Sequence, residues 1–140
     1  MRLTFEELNS DHLSFIAKKF GVFVNDIEDK RAKEYILTKP IKNALNMCIL
    51  DNDSIMGFTS YVIEKNALYL AWTYIFPEFR KKGLGTEILY HYEKKAKSMK
   101  ITQIYCKVNE DNYNSQYFSQ KNGFKEIKRN SGEITYLKHL

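Results

Sequence analysis

Residues 80–86 read Arg-Lys-Lys-Gly-Leu-Gly-Thr, placing three cations and two glycines in one short stretch. Glycine has no Cβ to keep an anion from the backbone. A helix N-terminus presents N–H groups without intrahelical partners at the positive end of the helix dipole. A stretch of this kind at the start of a helix can hold a pyrophosphate, whereas in any other setting it is a basic turn. A nucleotide loop of the Walker type would require Gly-Lys-Ser/Thr, and here Thr86 follows Gly85 directly. A dinucleotide fingerprint would require a third glycine and a later acidic residue. Other reactive side chains give less. His12, His91 and His139 lie far apart with no ligand spacing, and no metal site is expected. Cys48 and Cys106 sit in apolar, strand-like runs and read as buried free thiols. Glu64, Glu78, Glu110 and Asp111 fall in turns or at strand ends, where solvated surface charge is the usual explanation, and the last two also favour the start of the helix after them.

The elements that must position these residues follow from periodicity. Residues 67–76 form an apolar, aromatic run that reads as a strand, stopped by Pro77 because proline cannot donate to a ladder. Leu84, Ile88, Tyr92 and Ala96, with Leu89, make the stripe of an amphipathic helix, so the glycines do sit at a helix start. Upstream, residues 1–6 suit a short edge strand. A helix capped by Ser10 or Asp11 carries Leu13, Phe15, Ile16 and Phe20 and ends at Gly21. A weaker stripe predicts a second helix over residues 26–37, before Pro40. Residues 44–50 and 55–63 make a hairpin, and a turn at 64–66 leads into the strand before Pro77, giving three antiparallel strands. Beyond the central helix, residues 102–108 alternate as a strand that returns after a crossover and so lies parallel to the one before Pro77. Residues 112–121 form a helix with Asn112 as N-cap and Gly123 at its left-handed end. Two closing strands, 124–128 and 133–138, flank the turn at 129–132. No repeat or linker interrupts the chain, and one domain over residues 1–140 is expected.

Two motifs resemble the GNAT superfamily of N-acetyltransferases. Arg80, Gly83 and Gly85 meet the acyl-CoA loop pattern Arg/Gln-x-x-Gly-x-Gly/Ala, led in by Pro77, Glu78 and Phe79. Asn112, Ser115, Phe118, Gly123 and Phe124 meet the second motif at its usual spacing. Together they cover roughly half the chain in the family's element order. The resemblance implies an α/β (α+β) fold: a mixed, mostly antiparallel central sheet of about six to seven strands flanked by about four helices, splayed between two parallel central strands. It implies acetyl-CoA as acyl donor, its pantetheine arm paired with backbone near Thr73, Tyr74 and Ile75. Its pyrophosphate would lie on Arg80, Lys81, Lys82, Gly83, Leu84, Gly85 and Thr86, with Asn112, Ser115, Phe118 and Ser119 along the arm. Asn112 has a competing role as helix cap.

The implied reaction is attack of a primary amine on the thioester in a ternary complex. A proton must leave the ammonium, and the oxygen that gains charge needs a donor, which the backbone N–H of Ile75 could supply. Many family members carry a tyrosine acid directly after the Leu/Phe of the second motif. This chain has Ser119 there, with Tyr117 two residues earlier as the remaining candidate, and Lys107 stands where some members carry glutamate. Those departures keep a non-catalytic acyl-CoA sensor open as a second reading. The net charge of +5 with 10 tyrosines and 9 phenylalanines admits a basic nucleic-acid module as a third, though no nucleic-acid motif supports it and no nucleic-acid partner is expected. Without a signal-like start or a long apolar run, no membrane partner and a cytoplasmic location are expected. A homodimer is admitted.

Overall fold

Residues 3–22 and 43–140 are described by a computed structural model. The helix expected over residues 26–37 lies outside them. Seven strands alternate with three α-helices among the described residues: β1 (Leu3–Glu7), α1 (Ser10–Val22), β2 (Leu45–Asp51), β3 (Ser54–Ile63), β4 (Ala67–Ile75), α2 (Leu84–Ser98), β5 (Gln103–Asn109), α3 (Tyr113–Lys121), β6 (Lys125–Asn130) and β7 (Glu133–His139), with a 3-10 turn at Pro77–Phe79. The strands form one sheet in the order β1-β2-β3-β4-β5-β7-β6. The helical crossover α2 makes β4 and β5 parallel, as expected, and β1–β2, β5–β7 and β6–β7 are antiparallel. Registered pairing of β4 with β5 runs from Ala67↔Gln103 to Leu70↔Cys106. Both strands continue past that register, β4 to Ile75 and β5 to Asn109.

By contacts the chain divides into two compact units, Met1–Ser60 with Trp72–Arg80, and Tyr61–Ala71 with Lys81–Leu140. In the first, Ile16, Phe58, Tyr74 and Phe76 make a buried cluster with Leu8, Ile55 and Phe79 packed on it. Phe58 stacks on Tyr74 at 5.7 Å, and Phe15 meets Phe76 edge-on at 6.3 Å. In the second, Leu84, Ile88, Leu89, Tyr92 and Ala96 are the buried stripe of α2 that periodicity predicts. Tyr92 meets Tyr61 edge-on at 5.1 Å.

Several boundaries differ from expectation for local reasons. The N-cap of α1 is Asn9, not Ser10 or Asp11. Its Oδ1 accepts from the His12 N–H at 2.9 Å, and its own N–H donates to His12 Nδ1 at 3.3 Å. That is a capping box closed by imidazole in place of a carboxylate. Gly21 lies inside the last turn of α1 and does not end it. The closing hairpin turns in two residues, because Ser131 (φ 46°) and Gly132 (φ 83°) both take the left-handed conformation that the tightest hairpin demands, so β6 and β7 run longer than predicted. At the end of α3, Phe124 N–H donates to Ser119 O at 3.0 Å and Gly123 N–H to Gln120 O at 3.2 Å, with Gly123 at φ 92°. This is the Schellman closure that Gly123 signalled.

Candidate active site

In the second unit the basic stretch opens α2. Gly83 is the N-cap at φ 77°, ψ 9°, and no side chain caps the helix. The first intrahelical bond runs from Glu87 N–H to Gly83 O at 3.2 Å. The N–H groups of Leu84, Gly85 and Thr86 therefore precede the helical ladder and face outward along the dipole. Lys81 also takes a positive φ, of 63°. A left-handed lysine is a locally strained conformation of the sort that turns successive N–H groups toward an anion. Lys81, Lys82 and Thr86 are exposed, while the Leu84 side chain is buried and only its backbone is offered.

The two glycines have different structural causes. A Cβ at Gly83 would meet nothing within 4 Å, so its φ is what requires glycine there. A Cβ at Gly85 would lie 3.0 Å from Cε2 and 3.2 Å from Cζ of Phe118. Gly85 is thus the seat of the Phe118 ring, which packs α3 on the first turn of α2 and ties the two sequence motifs together. Spacing alone gave no signal of that contact.

On α3, Asn112 caps the helix with its Oδ1, accepting from Ser115 N–H at 3.1 Å. The bond uses the carbonyl oxygen and leaves the amide N–H groups, so capping does not exclude a hydrogen bond to a ligand, contrary to the expectation that the roles are exclusive. Ser119 is 4% exposed and its Oγ lies 3.8 Å from Cys106 Sγ on β5. Tyr117, 68% exposed, points the opposite way. Burial pushes the Cys106 thiol up to about 11 against the lowering pull of Ser119. In the first unit, burial and then the Glu6 charge push Cys48 up to about 12. Both are neutral thiols at neutral pH, so neither is an activated nucleophile.

The first unit carries the end of β4. Phe76 N–H donates to Met56 O on β3 at 2.9 Å, and the Tyr74 carbonyl is turned at Gly57, where an added Cβ would lie 2.0 Å from it. Strand alternation then aims the backbone groups of Thr73 and Ile75 away from β3, along the edge where a strand-like ligand arm would pair. The Ile75 carbonyl on that edge is taken by Arg80, whose Nε donates to it at 2.8 Å. The Arg80 guanidinium also lies 5.1 Å above the Tyr74 ring.

Two carboxylates that read as solvated have partners. Glu78 pairs with Lys19 of α1, which also lies 5.4 Å over the Phe76 ring. Glu64 accepts from the hydroxyl of Tyr105, which stacks on Tyr69 at 4.8 Å. Lys107 lies 5.7 Å over that Tyr69 ring. Burial and the Glu64 hydrogen bond raise the Tyr105 hydroxyl well above the usual phenol range. Among the described residues no group of three His, Cys, Asp or Glu could hold a metal ion, and no helix is long and apolar enough to cross a membrane.

Comparison with known proteins places this geometry. The model of the acetyltransferase (GNAT) family matches residues 9–124. A spermidine N(1)-acetyltransferase of Thermoplasma acidophilum is 30% identical over 104 residues, which span 71% of this chain and 65% of that protein. The chain thus matches just under two thirds of that relative. Among solved structures, a PaiA N-acetyltransferase of Thermoplasma acidophilum in complex with coenzyme A superposes with a TM-score of 0.75 at 19% identity, covering 100% of both chains. An acetyltransferase of Thermus thermophilus does so with a TM-score of 0.77 at 16% identity, covering 100% of this chain and 98% of the other. At those identities the structures establish the fold.

Proposed function

Because the chain belongs to the acetyltransferase (GNAT) family, we propose that it transfers an acetyl group from acetyl-CoA to a primary amine by direct attack in a ternary complex. The observation that carries this reading is the uncapped start of α2, where glycine at the N-cap leaves three N–H groups for an anion. In the second unit we assign the pyrophosphate to the backbone of residues 81–86, with Lys81 and Lys82 adding charge, and the amide N–H of Asn112 to the cofactor arm. Ser115, Phe118 and Ser119 belong to the same proposed set, although Phe118 is engaged with Gly85 and Ser119 with Cys106. In the first unit we assign Thr73 to Ile75 as the edge that pairs with the pantetheine. One family model runs through both units, which supports residues 1–140 as a single acyltransferase domain.

The thioester supplies an acyl group whose leaving thiolate is stable enough to depart unaided. What the chain must add is orientation, removal of a proton from the ammonium, and a donor for the oxygen that gains charge. We assign that donor to the Ile75 N–H on the open edge of β4. Tyr117 is the remaining candidate acid, and its exposure makes exchange with water its natural route.

The acceptor is an amine of a small molecule, a peptide or a protein. The spermidine named in the relative places polyamines first in a panel. The decisive experiment measures release of free CoA thiol from acetyl-CoA against that panel, with calorimetric titration of acetyl-CoA alongside. Binding and turnover support the enzyme. Binding with no turnover on any amine leaves the sensor, which the burial of Ser119 and the engagement of Lys107 favour. Absence of binding removes both. Neutral buried thiols suit a reducing compartment, and the reading takes the cytoplasm as location, a homodimer being checked by sedimentation. Nucleic acid is not proposed as a partner, and any affinity that falls steeply with salt would contradict this.

A further inference from the structure

Arg80 carries a full charge directly before the phosphate-binding backbone, and its place in the loop pattern points to the pyrophosphate. Its side chain goes elsewhere. Nε donates to the Ile75 carbonyl at 2.8 Å, and the guanidinium carbon lies over Tyr74 at 5.1 Å from the ring centre. The backbone of Arg80 is fixed as well, its N–H donating to Pro77 O at 3.2 Å as it closes the 3-10 turn. The chain therefore doubles back, and Arg80 returns to the strand it left five residues earlier.

The peptide unit joining Ile75 to Phe76 is consequently held at both ends. Its N–H donates to Met56 O at 2.9 Å, and its carbonyl receives Arg80. A unit bonded at one end only can rock about the strand axis, whereas one bonded at both ends has its plane set. The Ile75 N–H lies on the adjacent peptide unit, so its direction along the open edge depends on that plane. A bare Ile75 carbonyl on the same edge would also repel an oxygen gaining negative charge. A charge-assisted donor on it removes that repulsion.

We propose that Arg80 is a positioning residue that sets the end of β4, and that it does not serve as a ligand of the cofactor phosphates. The inference rests on the acetyl-transfer reading of the site but has a readout that survives the failure of that reading. The turn before Arg80 is independently tethered by the Lys19–Glu78 pair, so loss of the Arg80 side chain leaves the turn attached to α1.

The experiment compares wild type with Arg80→Ala, Arg80→Gln and Arg80→Lys on two donors, acetyl-CoA and S-acetylpantetheine, which has the arm and thioester but no phosphates. The expected result is a fall in kcat/KM of about 10- to 100-fold for Arg80→Ala, the scale of a misoriented reacting group, and of equal size on both donors. Glutamine, a donor without charge, recovers more of the loss than lysine, a charge without a planar donor. A loss confined to acetyl-CoA, with lysine recovering more than glutamine, overturns the proposal and returns Arg80 to the phosphates. If wild type turns over neither donor, the acetyl-transfer reading fails by itself. Amide hydrogen exchange of the ligand-free protein then decides the inference: faster exchange at residues 73–76 in Arg80→Ala than in wild type sustains it, and unchanged exchange there refutes it.

Discussion

Replacing Gly85 with alanine separates two reasons for a glycine at the start of α2. One is access, a phosphate approaching the backbone where a Cβ would obstruct it. The other is packing, since the Cβ would stand 3.0 and 3.2 Å from two atoms of the Phe118 ring. Those distances are shorter than ordinary contact, so the ring must shift or α3 must move, an overpacking of about 1–3 kcal/mol. Alanine returns up to about 1 kcal/mol through helix propensity, because Gly85 is helical and its φ asks for no glycine. The net expectation is a loss of about 1 kcal/mol in urea unfolding followed by far-UV circular dichroism. Phe118→Leu shortens the obstructing side chain, so in that background Gly85→Ala becomes neutral or stabilising. The double-mutant cycle then shows a coupling of about 1 kcal/mol or more. Acetyl-CoA titration supplies the second axis, with affinity in the double variant close to that of Phe118→Leu alone. Stabilisation by Gly85→Ala in the wild-type background would refute the packing account. Affinity that stays low in the double variant would restore the access account.

Gly83→Val is expected to abolish acetyl-CoA binding by calorimetry while circular dichroism stays native. The space is open, but φ 77° costs a residue with a Cβ about 1–2 kcal/mol and turns the first N–H groups, and unchanged affinity would remove the helix-start assignment. Asn112→Ala is expected to lose about 1 kcal/mol of stability with its cap, whereas Asn112→Asp keeps the cap. Both lack the amide donors and should bind acetyl-CoA more weakly, so undiminished binding by both would show that Asn112 only caps. The buried thiols predict alkaline weakening. Cys106 ionises near the ordinary thiol value of 9.0 when unfolded, and burial pushes it up to about 11 when folded, so the folded state holds the extra proton between those values. Its contribution is complete below pH 9 and is lost as pH rises toward 11. Cys106→Ser should flatten that part of the stability profile, and an unaltered slope would contradict the burial account.

Much of this architecture was legible because local chemistry wrote it. Gly123 announced a left-handed helix end, Asn112 a cap, and the stripe from Leu84 to Ala96 a buried helix face. What stayed hidden depends on contacts remote in sequence. Lys19 finds Glu78 across 59 positions and Tyr105 finds Glu64 across 41, so two carboxylates with no local reason to be paired read as solvated. The cap of α1 was misplaced by one residue because the box is closed by His12, where a carboxylate or amide is the usual signal. For Arg80 the neighbours in sequence suggest a phosphate role, and the contact that no spacing signals is the one its Nε makes with a carbonyl of its own strand.

The placements of Ser119 and Tyr117 bear on how the reaction can be run. Two residues apart on a helix are turned by about 200°, so burying one exposes the other. Ser119 faces inward to Cys106, whose thiol burial keeps neutral, and an aliphatic hydroxyl is too weak an acid to protonate a leaving thiolate at neutral pH. Tyr117 faces solvent, where any proton it carries exchanges freely with water. Neither arrangement holds an acid in a dry, fixed position beside a leaving group. The groups fixed by the fold are backbone ones, the N–H groups opening α2 and the edge of β4 that Arg80 and Met56 orient. Catalysis built on these depends on the placement of the thioester and of the developing oxyanion, and its pH dependence is then that of the amine itself. The proton is removed by solvent or by the acceptor's own surroundings, and the rate should track the fraction of acceptor that is uncharged. Amines of lower pKa would accordingly reach their limiting rate at lower pH, and a profile identical for amines of different pKa would require a titrating side chain outside the groups named here.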